Sequence, residues 1–201
     1  DVARILGPQS AAVVWRTFEQ GRLEEMAADA GVPVINALTD DYHPCQILAD
    51  LLTVLEVKGS TAGLTFAYLG DGANNMAHSY LLGCALAGMH VRIGTPASHP
   101  PRADIVARAQ RIAAEQGGSV LVADDPQAAV AGADVVATDT WVSMGMEAES
   151  EHRHGAASPA ALHMAQRTSS TPSPSRSPST AAARTRCTRR AGFASGPTWS
   201  R

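Results

Sequence analysis

The last fifty residues of this 201-residue chain contain no aspartate, glutamate or lysine. They carry 8 of the 16 Lys and Arg, all of them arginine, while all 19 acids lie at or before Glu151, so the formal charge of −3 conceals an acidic body and a basic tail. Cysteine is also sparse. Cys45, Cys84 and Cys187 are odd in number and form no Cys-x-x-Cys pair, which argues against a disulfide framework or a structural zinc site and fits a reducing cytoplasm. No run of about 18 apolar residues could span a bilayer, and no basic-then-apolar leader opens the sequence. The chain begins on Asp1 rather than Met and reads as a fragment, yet its length suffices to bury a substantial core.

What is present is organised around the run from Asp40 to Glu56. Pro44 suits the first turn of a helix, because its fixed φ fits there and its missing N–H would have had no partner. A helix is therefore expected from about His43. Ile47, Leu48, Leu51, Leu52 and Leu55 recur at helical spacing and are expected to form its buried stripe. His43, Gln46 and Asp50 share another face. An imidazole, an amide and unpaired backbone N–H groups at one helix N-terminus suit a phosphorylated or carbonyl ligand. Read without a ligand, the same stretch is a packed helix with His43 as its cap.

Around this helix the pattern alternates. Asp1 to Leu6 and Ser10 to Val14 read as the end of one α/β repeat, with Ala11 to Trp15 apolar enough for a buried strand. Arg16 follows at that strand's carboxyl end, either in a ligand position or simply solvated. Phe18 to Ala30 reads as a helix and Val32 to Ala37 as a strand. Beyond Gly59 to Gly63 a new unit begins. It comprises strand Leu64 to Leu69, helix Ala77 to Ala87, strand His90 to Ile93, helix Arg102 to Gln116, strand Ser119 to Val122, helix Pro126 to Ala131 and strand Asp134 to Thr138. Alternation with short connections specifies an α/β fold with a doubly wound parallel sheet, whose ligand site lies beyond the carboxyl ends of its strands.

Two polar loops stand at such ends: Gly70-Asp71-Gly72-Ala73-Asn74-Asn75 after the first strand of the unit, and Asp139 to Gly145 after the fourth. The first lacks the third glycine of a dinucleotide loop, since Asn75 occupies that place, and no acid ends the next strand, so NAD is disfavoured. The loops offer instead recognition of a small zwitterion. Asn75 can donate to a carboxylate, Asp139 and Ser143 can accept from an ammonium group, and the Met144 amide adds a donor. Asp139 taken alone could equally cap a turn.

Three segments, His43-Pro44-Cys45-Gln46 with Ala49-Asp50, Gly70-Asp71 with Asn74-Asn75-Met76, and Asp139-Thr140-Trp141-Val142-Ser143-Met144-Gly145, together closely resemble the ornithine carbamoyltransferase family. The likeness runs in order from about Asp1 to Glu149. It implies residues 1–58 as the C-terminal part of a carbamoyl phosphate-binding α/β domain with an interdomain helix, and 59–150 as an incomplete ornithine-binding domain. It further implies that Arg16, His43 and Gln46 contact carbamoyl phosphate, with Arg16 and His43 near its carbonyl oxygen as the catalytic pair. Asn75, Asp139, Ser143 and Met144 would hold L-ornithine. The implied reaction gives L-citrulline and phosphate in a cytoplasmic homotrimer, with no metal or organic cofactor. A transferase for another amine, such as putrescine, is disfavoured by an acid at position 139.

The departures from the family are equally plain. Its Ser-Thr-Arg-Thr-Arg phosphate loop, expected before Asp1, and its His-Cys-Leu-Pro motif, expected after Gly145, are absent, and Cys187 lies in Arg-Cys-Thr-Arg. A catalytically inactive remnant that binds an amino acid or oligomerises is thus a second reading. Residues 151–201 form a low-complexity basic tail. Thr168 to Thr180 contains only Thr, Ser, Pro and Arg, too polar to order itself, and the arginine bias resembles a coding sequence read out of frame. A nucleic-acid-binding arm is the rival reading, weakened because Phe193 and Trp199 are the tail's only aromatics.

Overall fold

Val13–Arg16 (β1) and Val34–Leu38 (β2) pair in parallel, Val13 opposite Val34 and Val14 opposite Ile35, and make the smaller of two sheets. The computed structural model describes residues 1–140. Val2–Leu6 (α1), a 3-10 turn at Gly7–Gln9, and Gln20–Asp29 (α2) accompany this sheet. Ala3, Met26 and Ala30 form a small core with Trp15, Val32 and Val34. The expected buried strand at Ala11 to Trp15 is corrected. The strand starts at Val13, alternate residues face outward, and Val14 is 66% exposed, because nothing among the described residues packs over it.

The larger sheet holds Thr65–Leu69 (β3), His90–Gly94 (β4), Ser119–Ala123 (β5) and Val135–Thr138 (β6), all parallel, in the order β5-β4-β3-β6. The chain steps outward from β3 through β4 to β5, then returns to the other side of β3, which is the doubly wound topology expected. Residues 66–69 of β3 are all buried, as in parallel strands covered on both faces. Asn75–Leu86 (α4) and Ala103–Gln116 (α5) pack against each other, and Pro126–Val130 (α6) packs on β3, β4 and β5. Helix α4 begins two residues earlier than its apolar run, because the Asn74 side chain accepts from the Ala77 N–H at 2.8 Å and caps it. No helix among the described residues is long and apolar enough to cross a membrane.

Pro44–Lys58 (α3) joins the two sheets. It starts where Pro44 suggested, and it stops at Gly59, whose φ of +79° suits glycine and whose N–H closes onto the Leu55 carbonyl at 2.8 Å. The buried stripe is not the one expected. Ile47 and Val54 enter the large core with Leu51 against it, whereas Leu48, Leu52 and Leu55 remain 67%, 55% and 47% exposed. The contact with α4 decides this. A Cβ added at Gly83 would lie 2.3 Å from Ile47 Cγ2, so the bare backbone of Gly83 is what lets Ile47 sit there.

Candidate active site at the carboxyl ends of the strands

Leu69 of β3 pairs with Thr138 of β6, so the loop that begins at Gly70 and the residue Asp139 leave the sheet side by side. This is the point at which strand order reverses, where open α/β sheets bind ligands. The loop is tightly held. Asp71 Oδ1 accepts from the Ala73 N–H at 2.9 Å, the Gly72 N–H donates to Thr95 Oγ1 at 2.9 Å, and Asn74 Nδ2 donates to the Tyr68 hydroxyl at 3.1 Å. These bonds place Asn75 as the first residue of α4.

The N-terminal end of α3 meets α4 here. The His43 N–H donates to Ser79 Oγ at 2.8 Å, Ser79 donates to the Asn75 carbonyl at 2.6 Å, and Asn75 Nδ2 donates to the Thr39 carbonyl at 2.8 Å. Thr39 is fully buried and donates in turn to Gln20 Oε1 at 2.8 Å. One N–H of the Asn75 amide therefore spans the two sheets' units, which leaves the second for other partners.

The charges converge on His43. Burial lowers the pKa of its imidazole first, and the Arg16 guanidinium lowers it further; Asp139 and Asp50 act in the opposite direction. Nδ1 of His43 is buried without a hydrogen-bond partner among the described residues. Burial raises the pKa of the Asp139 carboxyl, while the Thr140 amide and His43 oppose the rise. An acid that burial makes costly to ionise gains most from a cation placed beside it.

Of the sequence-derived candidates, His43 at the start of α3 is bonded through Ser79 to Asn75 at the start of α4, and Arg16 from the end of β1 and Asp139 from the end of β6 both act electrostatically on the His43 ring. Gln46, on the same helix as His43, donates from Nε2 to Asp50 Oδ1 at 3.0 Å. Ser143 and Met144 lie outside the described residues, as does the whole 151–201 tail. Sequence reasoning missed Ser79 and Tyr80. Ser79 follows Asn75 by four positions, one helical turn, which was the available signal; Tyr80 reads only as core. A cavity of about 400 Å³ between α1, β1 and α2, lined in part by Asp1, Trp15, Arg22 and Glu25, includes none of the candidates. Among the described residues no group of three or more His, Cys, Asp or Glu could hold a metal ion.

Family models match both parts of the chain. Residues 1–56 match the carbamoyl-P binding domain of aspartate/ornithine carbamoyltransferase, and residues 62–167 match its Asp/Orn binding domain. The chain belongs to the aspartate/ornithine carbamoyltransferase family. A relative from Clavibacter sepedonicus named ornithine carbamoyltransferase is 64% identical over 153 residues, covering 76% of this chain and 50% of the relative. Another of that name from Renibacterium salmoninarum is 60% identical over 165 residues, covering 82% and 53%. Among solved structures, the ornithine carbamoyltransferase of Pyrococcus furiosus superposes with a TM-score of 0.73 at 43% identity, covering 78% of this chain and 50% of that one. The chain spans about half the length of the curated relatives it matches. The family boundary between residues 56 and 62 falls at the end of α3 and the turn after it.

Proposed function

We propose that the protein transfers the carbamoyl group of carbamoyl phosphate to the δ-amine of L-ornithine, giving L-citrulline and phosphate. The observation that carries this reading is that the start of α3 is bonded through Ser79 to the start of α4, beside the loop after β3 and the end of β6, with Arg16 and Asp139 both acting electrostatically on the His43 imidazole there. The names of the matched relatives support the substrates.

The lone pair of the neutral δ-amine attacks the carbamoyl carbon, the carbonyl oxygen takes up negative charge, and the bond from carbon to the phosphate oxygen then breaks. The attacking nitrogen gives up a proton, which the departing phosphate takes up. Burial and Arg16 favour the neutral form of His43, whose ring can donate one N–H to the developing oxyanion while Arg16 supplies the positive charge. Asn75, Asp139, Ser143 and Met144 bind the α-carboxylate and α-ammonium groups of ornithine. An ammonium beside Asp139 offsets the cost of burying that carboxylate. The reaction needs no metal or organic cofactor. The same reading makes the protein a cytoplasmic homotrimer, supported by the cysteine usage and by the family resemblance.

Incubation with carbamoyl phosphate and L-ornithine should yield citrulline in a colorimetric assay, and putrescine should be the poorer acceptor. Absence of citrulline, or faster carbamoylation of putrescine, would overturn the reading.

A further inference from the structure

Asp50 accepts two hydrogen bonds from different elements. Gln46 Nε2 donates to its Oδ1 at 3.0 Å, and the Tyr80 hydroxyl donates to its Oδ2 at 2.6 Å. Tyr80 is 5% exposed, and its ring lies against those of Phe66 and Tyr68, with centroids 4.7 Å and 5.4 Å away. A carboxylate accepts and does not donate, so Gln46 can meet Asp50 only through its NH₂ group. A pair spaced four residues apart on a helix surface is by itself too weak to hold an amide in one orientation. Anchored to a buried tyrosine in another helix, the carboxylate has a fixed place.

We propose that Asp50 and Tyr80 are positioning residues that hold the Gln46 amide with its NH₂ turned inward and its oxygen turned to the ligand. An amide so held offers an acceptor. It favours a ligand carrying an N–H at that point over an isosteric ligand carrying a methyl group. Carbamoyl phosphate and acetyl phosphate differ in just this way. Only this ligand preference rests on the proposed function; the amide orientation stands on the contacts themselves.

The test has one arm without ligand and one with it. In ¹H–¹⁵N spectra of the full chain, the Gln46 side-chain amide protons should exchange slowly with solvent. They should exchange about tenfold faster in Tyr80→Phe, as loss of one hydrogen bond implies. In Asp50→Asn the amide should turn over and shift its resonances. Tyr80→Phe keeps the ring and Asp50→Asn keeps the shape, so unchanged backbone spectra of α4 would certify the fold. In the second arm, the preference for carbamoyl phosphate over acetyl phosphate should fall by about 3–10-fold in either variant. Gln46 exchange and shifts unaltered in both variants would overturn the proposal. If neither phosphate binds the unmodified protein, the functional reading fails, while the exchange arm still decides the role of Asp50 and Tyr80.

Discussion

The backbone N–H of His43 donates to the hydroxyl of Ser79 over 2.8 Å, a bond between residues 36 positions apart. It ties the start of α3 to the first turns of α4, and Ser79 relays the tie to the carbonyl of Asn75. Two candidate substrate-binding residues from different parts of the family fold therefore share one hydroxyl.

Replacing Ser79 by Ala leaves the His43 N–H without its acceptor. A buried donor deprived of its partner costs about 1–3 kcal/mol. Urea denaturation of Ser79→Ala should show a loss in that range, and Ser79→Thr should restore most of it. Equal midpoints for Ala and the unmodified protein would mean that the bond contributes nothing.

Gly83→Ala should destabilise despite the better helix propensity of alanine. The propensity gain is about 1 kcal/mol, but the new methyl would lie 2.3 Å from Ile47 Cγ2, and overpacking costs typically about 1–3 kcal/mol. Adding Ile47→Ala removes the clashing methyl. The double variant should therefore be less destabilised than the two single losses added together, and strict additivity in a double-mutant cycle would remove the steric account.

His43→Ala keeps the backbone N–H that bonds Ser79 and deletes only the imidazole. Citrulline formation should fall by about 10²–10³-fold, the usual cost of one oxyanion donor, with the unfolding midpoint little changed. Full turnover in this variant would exclude His43 from the chemistry.

Stability should fall on mild acidification. His78 is 2% exposed and accepts the Arg102 N–H on Nε2 at 3.3 Å, and burial lowers its pKa, with the Asp41 backbone opposing. His43 is lowered as well. A histidine whose pKa is lower in the folded protein binds fewer protons there than in the unfolded chain. Its contribution is fully present above the ordinary value of about 6.5 and is lost as pH falls from there toward the folded value. His78→Gln keeps an acceptor but cannot titrate. Chemical denaturation at several pH values should show a shallower slope in this variant, with part of the slope remaining from His43; an identical slope would deny burial of His78 as its source.

The alternation from Leu64 to Thr138 was legible residue by residue, and the strands fall within a position or two of where periodicity put them. Short connections leave a parallel βα chain few ways to pair. The start of α3 at Pro44 was equally plain, because proline constrains its own backbone. The buried face of α3 was not. Ile47, Leu48, Leu51, Leu52, Val54 and Leu55 populate two adjoining stripes of similar hydrophobicity, and nothing local ranks one above the other. The notch at Gly83, on another helix, receives Ile47 and so fixes which stripe turns inward.

The candidate site divides in the same way. Residue types at short spacing, such as the histidine, glutamine and aspartate of α3 or the acid after the last strand, were readable because their chemistry is carried by the side chains themselves. Asn75 read as a ligand residue and Asn74 only as part of its loop; in the fold Asn74 caps α4 and Asn75 spends one N–H on the Thr39 carbonyl. The sequence by itself determined the element order, the topology and the chemical groups available. Tertiary structure alone decided which helix face is buried, which asparagine crosses the seam, and that Ser79 bonds His43 while Tyr80 bonds Asp50. Those outcomes depend on contacts between segments tens of residues apart, where geometry rather than local preference sets the free energy.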